Sequence, residues 1–326
     1  MPRRANAQAG KALPQVHDDL LGKFTRHRQF NRPIARELML DTGTREIGQK
    51  IANCAHTLKA DLLIHPDMRP EVNLKAARVC NTRLCPFCEW RRTRAWRGRL
   101  TDGLTALYAD QPKLRGVFLT LTVKNPRLED LGATLDEMNH AWRKLTKRSF
   151  FPTDLWFRRT EVTVTATPGS SSFNAHPHFH VLLLVPPSYF STGYVKQTKW
   201  VTEWWTAAGL DYPPIVDVRT SKKKCFDGMN SEENAKGAVL EAAKYATKAT
   251  ALMELGPAIT ELHYQLRNRR LYALSKNLRE YIKAGDISSE ELMDNNAKPL
   301  PEGTEAIEFI AQWFEDTNEY LITDMG

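Results

Sequence analysis

Three histidines at alternating positions are the feature of this sequence that most strongly suggests chemistry. His176, His178 and His180 lie in the stretch HPHFHVLLLV and lead into an apolar run that ends at Val185. Alternate side chains of a β-strand point to the same face, so the three imidazoles would share one face. Two imidazoles placed in this way can bind one divalent ion, which favours a metal site. Histidines that only make local hydrogen bonds are the alternative.

A carboxylate on a neighbouring predicted strand could complete the site. Residues 156–166, with the sequence WFRRTEVTVTA, have the composition of a strand and carry Glu161 on its polar face. Two histidines and one carboxylate leave coordination positions open, which is typical of catalytic metal sites. Two of the three histidines, together with Glu161, could therefore bind a divalent catalytic ion.

A second set of candidate residues shares one face of a predicted helix. In VLEAAKYATK, Glu241, Tyr245 and Lys248 are separated by four and three residues. A tyrosine hydroxyl can attack phosphorus to form a covalent intermediate, a carboxylate can act as a base, and a lysine can hold a phosphate. The alternative is a tyrosine packed on the core with neighbours in surface ion pairs. Together with the histidines, the catalytic interpretation is favoured.

Four of the five cysteines are clustered, whereas Cys225 stands apart. The last two of the cluster form a CxxC motif, and the first two could supply the remaining thiolates of a tetrahedral Zn²⁺ site. His56 could replace one of them; buried free thiols and a redox pair are the alternatives. The predicted zinc ligands are Cys54, Cys80, Cys85 and Cys88.

The charge distribution suggests a polyanionic partner. The net charge is +8, although residues 285–326 hold eleven acidic residues and one basic residue, so the remainder is strongly basic. A merely soluble basic protein is the alternative. An arginine-rich helix after the CxxC motif and a lysine-rich loop are the predicted DNA contacts, with a solvated helix face as the alternative. These contacts are Arg91, Arg92, Arg94, Arg97, Lys222, Lys223 and Lys224.

The order of predicted elements is β-α-β-β-α-β followed by a helix, which indicates an α+β fold. This order is that of the ferredoxin-like split βαβ arrangement, an antiparallel sheet with helices on one face and the other face free for a site. The acidic tail, which includes GTEAIEFIAQWFEDTNEYL, has helical spacing and is predicted to form a peripheral helix. No secretory signal and no run of about 18 apolar residues is present, so we expect a cytoplasmic protein.

These motifs together resemble those of the rolling-circle replication initiator (Rep) proteins of bacterial plasmids, members of the HUH endonuclease superfamily. The matching segments run in family order over about residues 50–285: VCNTRLCPFCEWRR, FLTLTVKN, TEVTVT, HPHFHVLLLV, YVKQTKWVTEWW, DYPPIVDVR and EAAKYATK. The resemblance implies a metal-dependent DNA endonuclease and strand transferase that nicks an origin strand and rejoins or terminates it during rolling-circle replication. It also implies single-stranded and hairpin origin DNA, a host helicase and a polymerase as partners, with a possible homo-oligomer on DNA.

The resemblance gives roles to individual residues. His178 and His180 would bind Mg²⁺ or Mn²⁺ with Glu161 as the third ligand, whereas His176 lies one step outside the motif. Tyr245 would become linked to the 5′ end of the nicked strand, and Glu241 would activate water for a terminating cleavage. Lys244 and Lys248 match the basic positions beside the tyrosine.

The sequence is predicted to divide into four segments, of which the N-terminal arm and the acidic tail have no counterpart in the family pattern. These are a basic N-terminal arm (1–45), a zinc-binding module with the arginine-rich helix (46–110), an HUH nuclease domain (111–255) and a helical C-terminal region with an acidic tail (256–326). The glycine pair expected after RNRRLYALSKNLREYI is absent. An HUH transposase or relaxase, and a non-enzymatic zinc-ribbon DNA-binding protein, are the alternative functions.

Overall fold

The computed structural model describes residues 14–167, 169–220, 235, 239, 252–293 and 302–326. These residues form an α+β fold with two antiparallel sheets. The helices are α1 Pro14–Arg28, α2 Asn31–Leu40, α3 Arg45–Ala52, α4 Pro86–Asp110, α5 Leu131–Leu145, α6 Gln197–Ala208, α7 Ala258–Leu266 and α8 Ser289–Met293. The strands are β1 Thr57–Ile64, β2 Pro70–Ala77, β3 Arg115–Thr122, β4 Trp156–Ala166, β5 Phe173–Val185, β6 Val216–Thr220, β7 Tyr272–Leu274, β8 Glu305–Phe314 and β9 Glu319–Met325.

The larger sheet has five strands in the order β6-β3-β5-β4-β7. Each neighbouring pair is antiparallel, so β3 and β4, which α5 connects, run parallel to each other with β5 between them. Helices α5 and α6 pack on one face, where Trp142 and Trp204 contact Phe179 with ring centroids 6.4 and 6.1 Å away. The sheet is therefore the antiparallel, one-side-covered layer that the element order predicts.

The opposite face of this sheet is only half open in the described structure. Helix α4 covers its lower part, because Trp96 lies 6.0 Å from the ring of Phe157 and stacks at 4.7 Å on Tyr272. Leu182 and Leu184 on this face are consequently buried. The histidine end of β5 lies beyond this cover and stays partly exposed. The prediction of a wholly free face was thus too simple, because the long helix after the CxxC motif packs there.

The smaller sheet pairs strands that are far apart in the sequence. Its strand order is β2-β1-β8-β9, so the C-terminal hairpin pairs with the N-terminal strand β1. Residues of the segments predicted at 46–110 and 256–326 therefore share one sheet. On its exposed face, Glu308 lies 3.0 Å from the ammonium nitrogen of Lys59 and 3.3 Å from that of Lys75. Glu308 of the acidic tail thus pairs with two lysines of the β1–β2 hairpin.

The predicted helical C-terminal tail is wrong, since residues 305–325 form the hairpin of β8 and β9. Phe309, Ala311 and Trp313 are buried at alternate positions, which is the two-residue period of a half-buried strand. Asn318 takes a positive φ of 58° in the turn, a conformation that asparagine tolerates better than most residues. The apolar spacing of this segment fits both periods, and pairing with β1 decides between them.

The segment predicted as the N-terminal arm contains two helices in its described part. From residue 14 onward it forms α1 and α2, whose apolar side chains enter the core. Phe24 meets the ring of Trp90 edge-on at 5.5 Å, and His27 stacks on the same ring at 4.5 Å. The described part of this segment is therefore a packed layer against the start of α4.

Trp313 tests the importance of the C-terminal hairpin. It is 3% exposed and lies between the guanidinium group of Arg28 at 5.0 Å and the ring of Tyr320 at 5.1 Å. Trp313→Ala should lower the free energy of unfolding by about 3–5 kcal/mol, since it empties a packed site. Urea unfolding followed by circular dichroism measures this change. The control Trp205→Ala, at a tryptophan that is 37% exposed, should cost about 1 kcal/mol; equal losses would contradict the assigned role of the hairpin.

Candidate active site and cysteine cluster

The register between β4 and β5 brings three predicted residues onto one face. Glu161 is paired with His178, and the next pair along this face joins Arg159 to His180. His180 Nε2 lies 2.9 Å from a carboxylate oxygen of Glu161, and its Nδ1 lies 3.3 Å from the hydroxyl of Thr120 on β3. Both ring nitrogens of His180 are thus held, which fixes the orientation of the imidazole.

His178 lies on the same face, but its ring is farther from the contact between Glu161 and His180. Its ring centroid lies 6.3 Å from that of His180. Among the described residues, only the four clustered cysteines have three or more candidate ligand atoms that all lie within 4.8 Å of one another. His178, His180 and Glu161 are more widely spaced than that. The predicted ligands Glu161 and His180 are in direct contact, and His178 stands beside them on the same face.

The electrostatics of this face favour the neutral form of His178 and the ionised form of Glu161. Burial lowers the pKa of His178, and the neighbouring His180 lowers it further, so the imidazole stays neutral at pH 7. Burial alone would raise the pKa of Glu161, but the hydrogen bond and charge of His180 outweigh it and leave the pKa below its usual value. Metal ligands must be deprotonated, and both groups meet this condition.

His176 differs from the other two histidines. Its Nε2 lies 2.7 Å from the hydroxyl of Thr165, at the exposed end of β4. The structure therefore gives His176 a local hydrogen-bond partner, in keeping with its place outside the predicted ligand set.

Several predicted residues lie outside the described part of the chain. They are Glu241, Lys244, Tyr245 and Lys248 of the predicted catalytic helix and Lys222, Lys223 and Lys224 of the predicted basic loop.

The four clustered cysteines meet at the start of α4. Cys88 Sγ lies 3.4 Å from Cys54 Sγ and 3.6 Å from Cys80 Sγ, and all four sulfurs lie within 4.8 Å of one another. These separations far exceed a disulfide bond of about 2.05 Å and approach the roughly 3.8 Å between thiolates around one Zn²⁺. Cys85 lies at the N-cap position of α4 and Cys88 lies in its first turn, so the helix dipole favours negative charge there.

The chemistry of this cluster fits a bound cation. Burial raises the pKa of the Cys85 thiol, and a hydrogen bond donated to Cys80 raises that of Cys54 while it lowers that of Cys80. Four adjacent thiolates are therefore unfavourable without a positive charge between them. His56, the alternative ligand, is exposed and does not belong to the group. The four thiols could hold one metal ion.

Two of the predicted DNA-contacting arginines are part of the core. Arg91 is 1% exposed and donates from Nε to the carbonyl oxygen of Leu292 in α8. Arg92 is 9% exposed and binds Glu89 at 2.6 Å and the side-chain oxygen of Asn81 at 2.7 Å. A guanidinium group held in this way does not reach a DNA backbone, so we correct these two assignments. Arg94 is exposed and Arg97 is half-buried.

Two residues of the site were not found from the sequence. Thr120, which holds the ring of His180, lies within the predicted strand FLTLTV, and only the pairing of β3 with β5 reveals its contact. Arg159 is fully buried beside His180, and none of its guanidinium nitrogens has a hydrogen-bond partner among the described residues. The polar character of TLT and the arginine pair RR were the available signals.

Comparison with known proteins identifies the family. Residues 71–321 match the sequence model of the family described as "Replication protein". This chain belongs to the replication protein family. It is 30% identical to "Protein rep" of Streptococcus pneumoniae over 301 residues, which cover 89% of each chain. It is 32% identical to "Protein rep" of Lactiplantibacillus plantarum (74% of this chain, 79% of the relative). A "Protein rep" of a Bacillus species is 33% identical (68% and 77%).

These matches confirm the resemblance to replication initiators drawn from the motifs. No solved structure matches the chain. Within the described residues, no helix of this replication protein is both long and apolar enough to cross a bilayer.

The cysteine cluster predicts a specific metal content. The purified protein should contain about one metal ion per chain, held by four thiolates. Cys88→Ser should lose that ion, because Cys88 Sγ lies within 3.6 Å of two other sulfurs in the cluster. Elemental analysis by inductively coupled plasma mass spectrometry measures the loss. The control Cys225→Ser removes the cysteine that the sequence places apart and should keep the ion; equal loss in both variants would contradict the assignment.

Proposed function

We propose that this protein is a rolling-circle plasmid replication initiator of the HUH type, which nicks one strand of an origin through a phosphotyrosine intermediate. The observation that carries this proposal is the shared face of His178, His180 and Glu161, with the carboxylate 2.9 Å from His180. Membership of the replication protein family supplies the biological context. The proposal assigns a DNA endonuclease and strand-transfer activity to this face.

The architecture supports this assignment. Strands β3 and β4 flank β5, the connecting helix α5 packs on one face, and the histidines lie on the other. This order supports a ferredoxin-like split βαβ sheet with the proposed site on the partly open face. A rigid central strand is a suitable base for a site because its side chains keep fixed spacing.

The donor set fits a divalent cation with open positions. One carboxylate and two imidazoles would hold Mg²⁺ or Mn²⁺, which would polarise the scissile phosphate. Thr120 would orient His180 through Nδ1, so that Nε2, which faces the Glu161 carboxylate, would be the metal-binding nitrogen. The half-buried position of Glu161 would limit competition from water, since burial strengthens charge interactions there.

Tyr245 is the proposed nucleophile. Its phenolic oxygen would form a bond to the scissile phosphorus while the bond to the 3′ oxygen breaks, and the 3′ oxygen would take up a proton as the tyrosine loses one. The 5′ end would remain attached to Tyr245, and the free 3′-OH would prime a host polymerase. Glu241 would later activate water to hydrolyse a second phosphodiester bond. Lys244 and Lys248 would hold phosphate oxygens near the tyrosine.

The cysteine cluster has a structural role in this proposal. Four thiolates close the tetrahedral coordination of Zn²⁺ and leave no position for a substrate. Bound Zn²⁺ would connect the turn after α3, the loop after β2 and the start of α4. It would thereby hold the helix that covers the lower part of the catalytic face through Trp96.

Covalent capture of DNA tests the nucleophile. Wild-type protein with Mn²⁺ and a single-stranded origin oligonucleotide should form an adduct that survives denaturing electrophoresis. Tyr245→Phe should form none, since the ring without its hydroxyl cannot attack phosphorus. The control Tyr264→Phe removes another tyrosine hydroxyl, at a position 40% exposed, and should keep the adduct. Binding of duplex DNA without any adduct in the wild type would instead support a non-enzymatic DNA-binding protein.

The two neighbouring histidines provide a matched test of the metal site. His178→Ala should reduce metal-dependent adduct formation by at least about 100-fold, because it removes one of three ligands. His176→Ala should change the rate by less than about threefold, because its imidazole is bonded to Thr165. The rates are measured at several Mn²⁺ concentrations, with zinc content determined in parallel. Loss of zinc in His178→Ala, or equal rates in both variants, would contradict the assignment.

A further inference from the structure

A basic cavity lies between the cysteine cluster and the edge of the larger sheet. It has a volume of about 470 Å³, and its walls are the loop Asn81–Leu84 and the segment 266–270 at the end of α7. The first loop connects Cys80 to Cys85, and the second leads into β7. A recess of this size lies within the range of pockets that bind small ligands, about 300–1,000 Å³.

The charge of the cavity is strongly unbalanced. Arg83, Arg267, Arg269 and Arg270 line it, against the single carboxylate of Asp286. Arg269 is engaged by Asp136 and by the carbonyl oxygen of Gln265. Burial lowers the pKa of Arg83, and repulsion from Arg92 lowers it further. An anion in the cavity would relieve this repulsion between guanidinium groups.

The basic surface continues along the sheet edge beyond this cavity. Arg270 also lines two neighbouring recesses, one of about 540 Å³ and one of about 60 Å³. The larger of these adds Arg143 and Arg279, both exposed, and the half-buried rings of Trp156 and Tyr272. Cationic side chains with interspersed aromatic rings are the usual surface for single-stranded nucleic acid.

This surface begins next to the candidate active site. The carbonyl oxygen of Leu271 accepts a hydrogen bond from the amide of Thr160 at 2.7 Å, and Thr160 precedes Glu161 in β4. Tyr272, one residue further, is paired with Arg159 in the sheet. The arginines at 267, 269 and 270 therefore approach the strand that carries the catalytic carboxylate.

We propose that Arg83, Arg267 and Arg270 bind the backbone phosphates of single-stranded DNA beside the cleavage site. This inference rests on the proposed function and adds to it the path of the DNA strand. The rings of Trp156 and Tyr272 in the adjoining recess favour unpaired bases, which can stack on them. The cysteine cluster would then contribute to DNA binding through the loop between two of its ligands, while Arg91 and Arg92 hold the core.

Salt-dependent binding tests the proposal. The probe is a fluorescent oligothymidylate of about 20 nucleotides, longer than the site of a typical single-strand binding fold. Binding is followed by fluorescence anisotropy in the Tyr245→Phe background without added divalent ions, so that no cleavage occurs. Arg267→Gln/Arg270→Gln should weaken binding about 25-fold near 0.1 M salt, about fivefold for each lost phosphate contact. The slope of log K against log salt should fall by about 1.4, or two contacts at about 0.7 each.

Two control variants distinguish an effect of these particular arginines from an effect of the protein's total charge. Arg69→Ala/Lys113→Ala removes two charges, at exposed residues of the β1–β2 turn and the α4–β3 turn, and should leave affinity and slope unchanged. Arg267→Lys/Arg270→Lys keeps the charge and should keep the slope. Circular dichroism and zinc content should match the parent in every variant, since Arg267 and Arg270 are exposed.

The outcomes separate this inference from the proposed nicking activity. Unchanged affinity and slope in Arg267→Gln/Arg270→Gln would overturn the inference, even if wild-type protein forms the Tyr245 adduct. A larger loss for a hairpin duplex than for the oligothymidylate would also overturn it, because duplex DNA would then be the ligand. A reduced salt slope in Arg267→Gln/Arg270→Gln, combined with no covalent adduct in the wild type, would support the DNA-binding surface and refute the nicking mechanism.

Discussion

The pairing register between β4 and β5 is the constraint on which the candidate active site depends. It sets Glu161 opposite His178 and brings its carboxylate within 2.9 Å of His180. A shift by one residue would turn Glu161 to the face that α5 and α6 cover. The apolar residues of β5 prevent such a shift, because Phe179 and its alternate neighbours must stay buried under those helices. The chemistry on one face is thus fixed by packing on the other.

Helix α4 connects the cysteine cluster to the five-stranded sheet. It starts among the clustered thiols, and Trp96, eight residues after Cys88, packs on Phe157 and Tyr272. Because a helix is stiff over this length, the cluster and the sheet cannot move independently at this contact. The arginines of α4 that point inward serve the same purpose, since Arg91 and Arg92 bind groups of α8 and of the loop before Cys85. The cysteine-rich segment therefore packs against the same face of the sheet that carries the candidate site.

Periodic and short-range patterns were predictable from the sequence, whereas pairings across the chain were not. The alternation in HPHFHVLLLV gave the strand and the shared face of its histidines, and the CxxC motif gave two of the four clustered thiols. The tail was misassigned as a helix because its apolar spacing is ambiguous until β1 supplies a partner for Trp313 and its neighbours. The arginines of α4 were misassigned because a helix with aromatic residues on several sides gives no sign of which side is buried.

The sequence by itself determined the residue types and local spacings on which the resemblance rests: alternating histidines, a β-strand carboxylate, clustered cysteines and a tyrosine with its glutamate. Only the tertiary structure decided which of the described groups meet. It placed the Glu161 carboxylate beside His180 and gave His176 a hydrogen bond with Thr165. It also brought the loop between Cys80 and Cys85 opposite the arginines that follow α7. The physical reason is that strand register and helix packing are set by how much apolar surface the whole chain buries. That area depends on contacts between distant segments, so it cannot be read from any one of them.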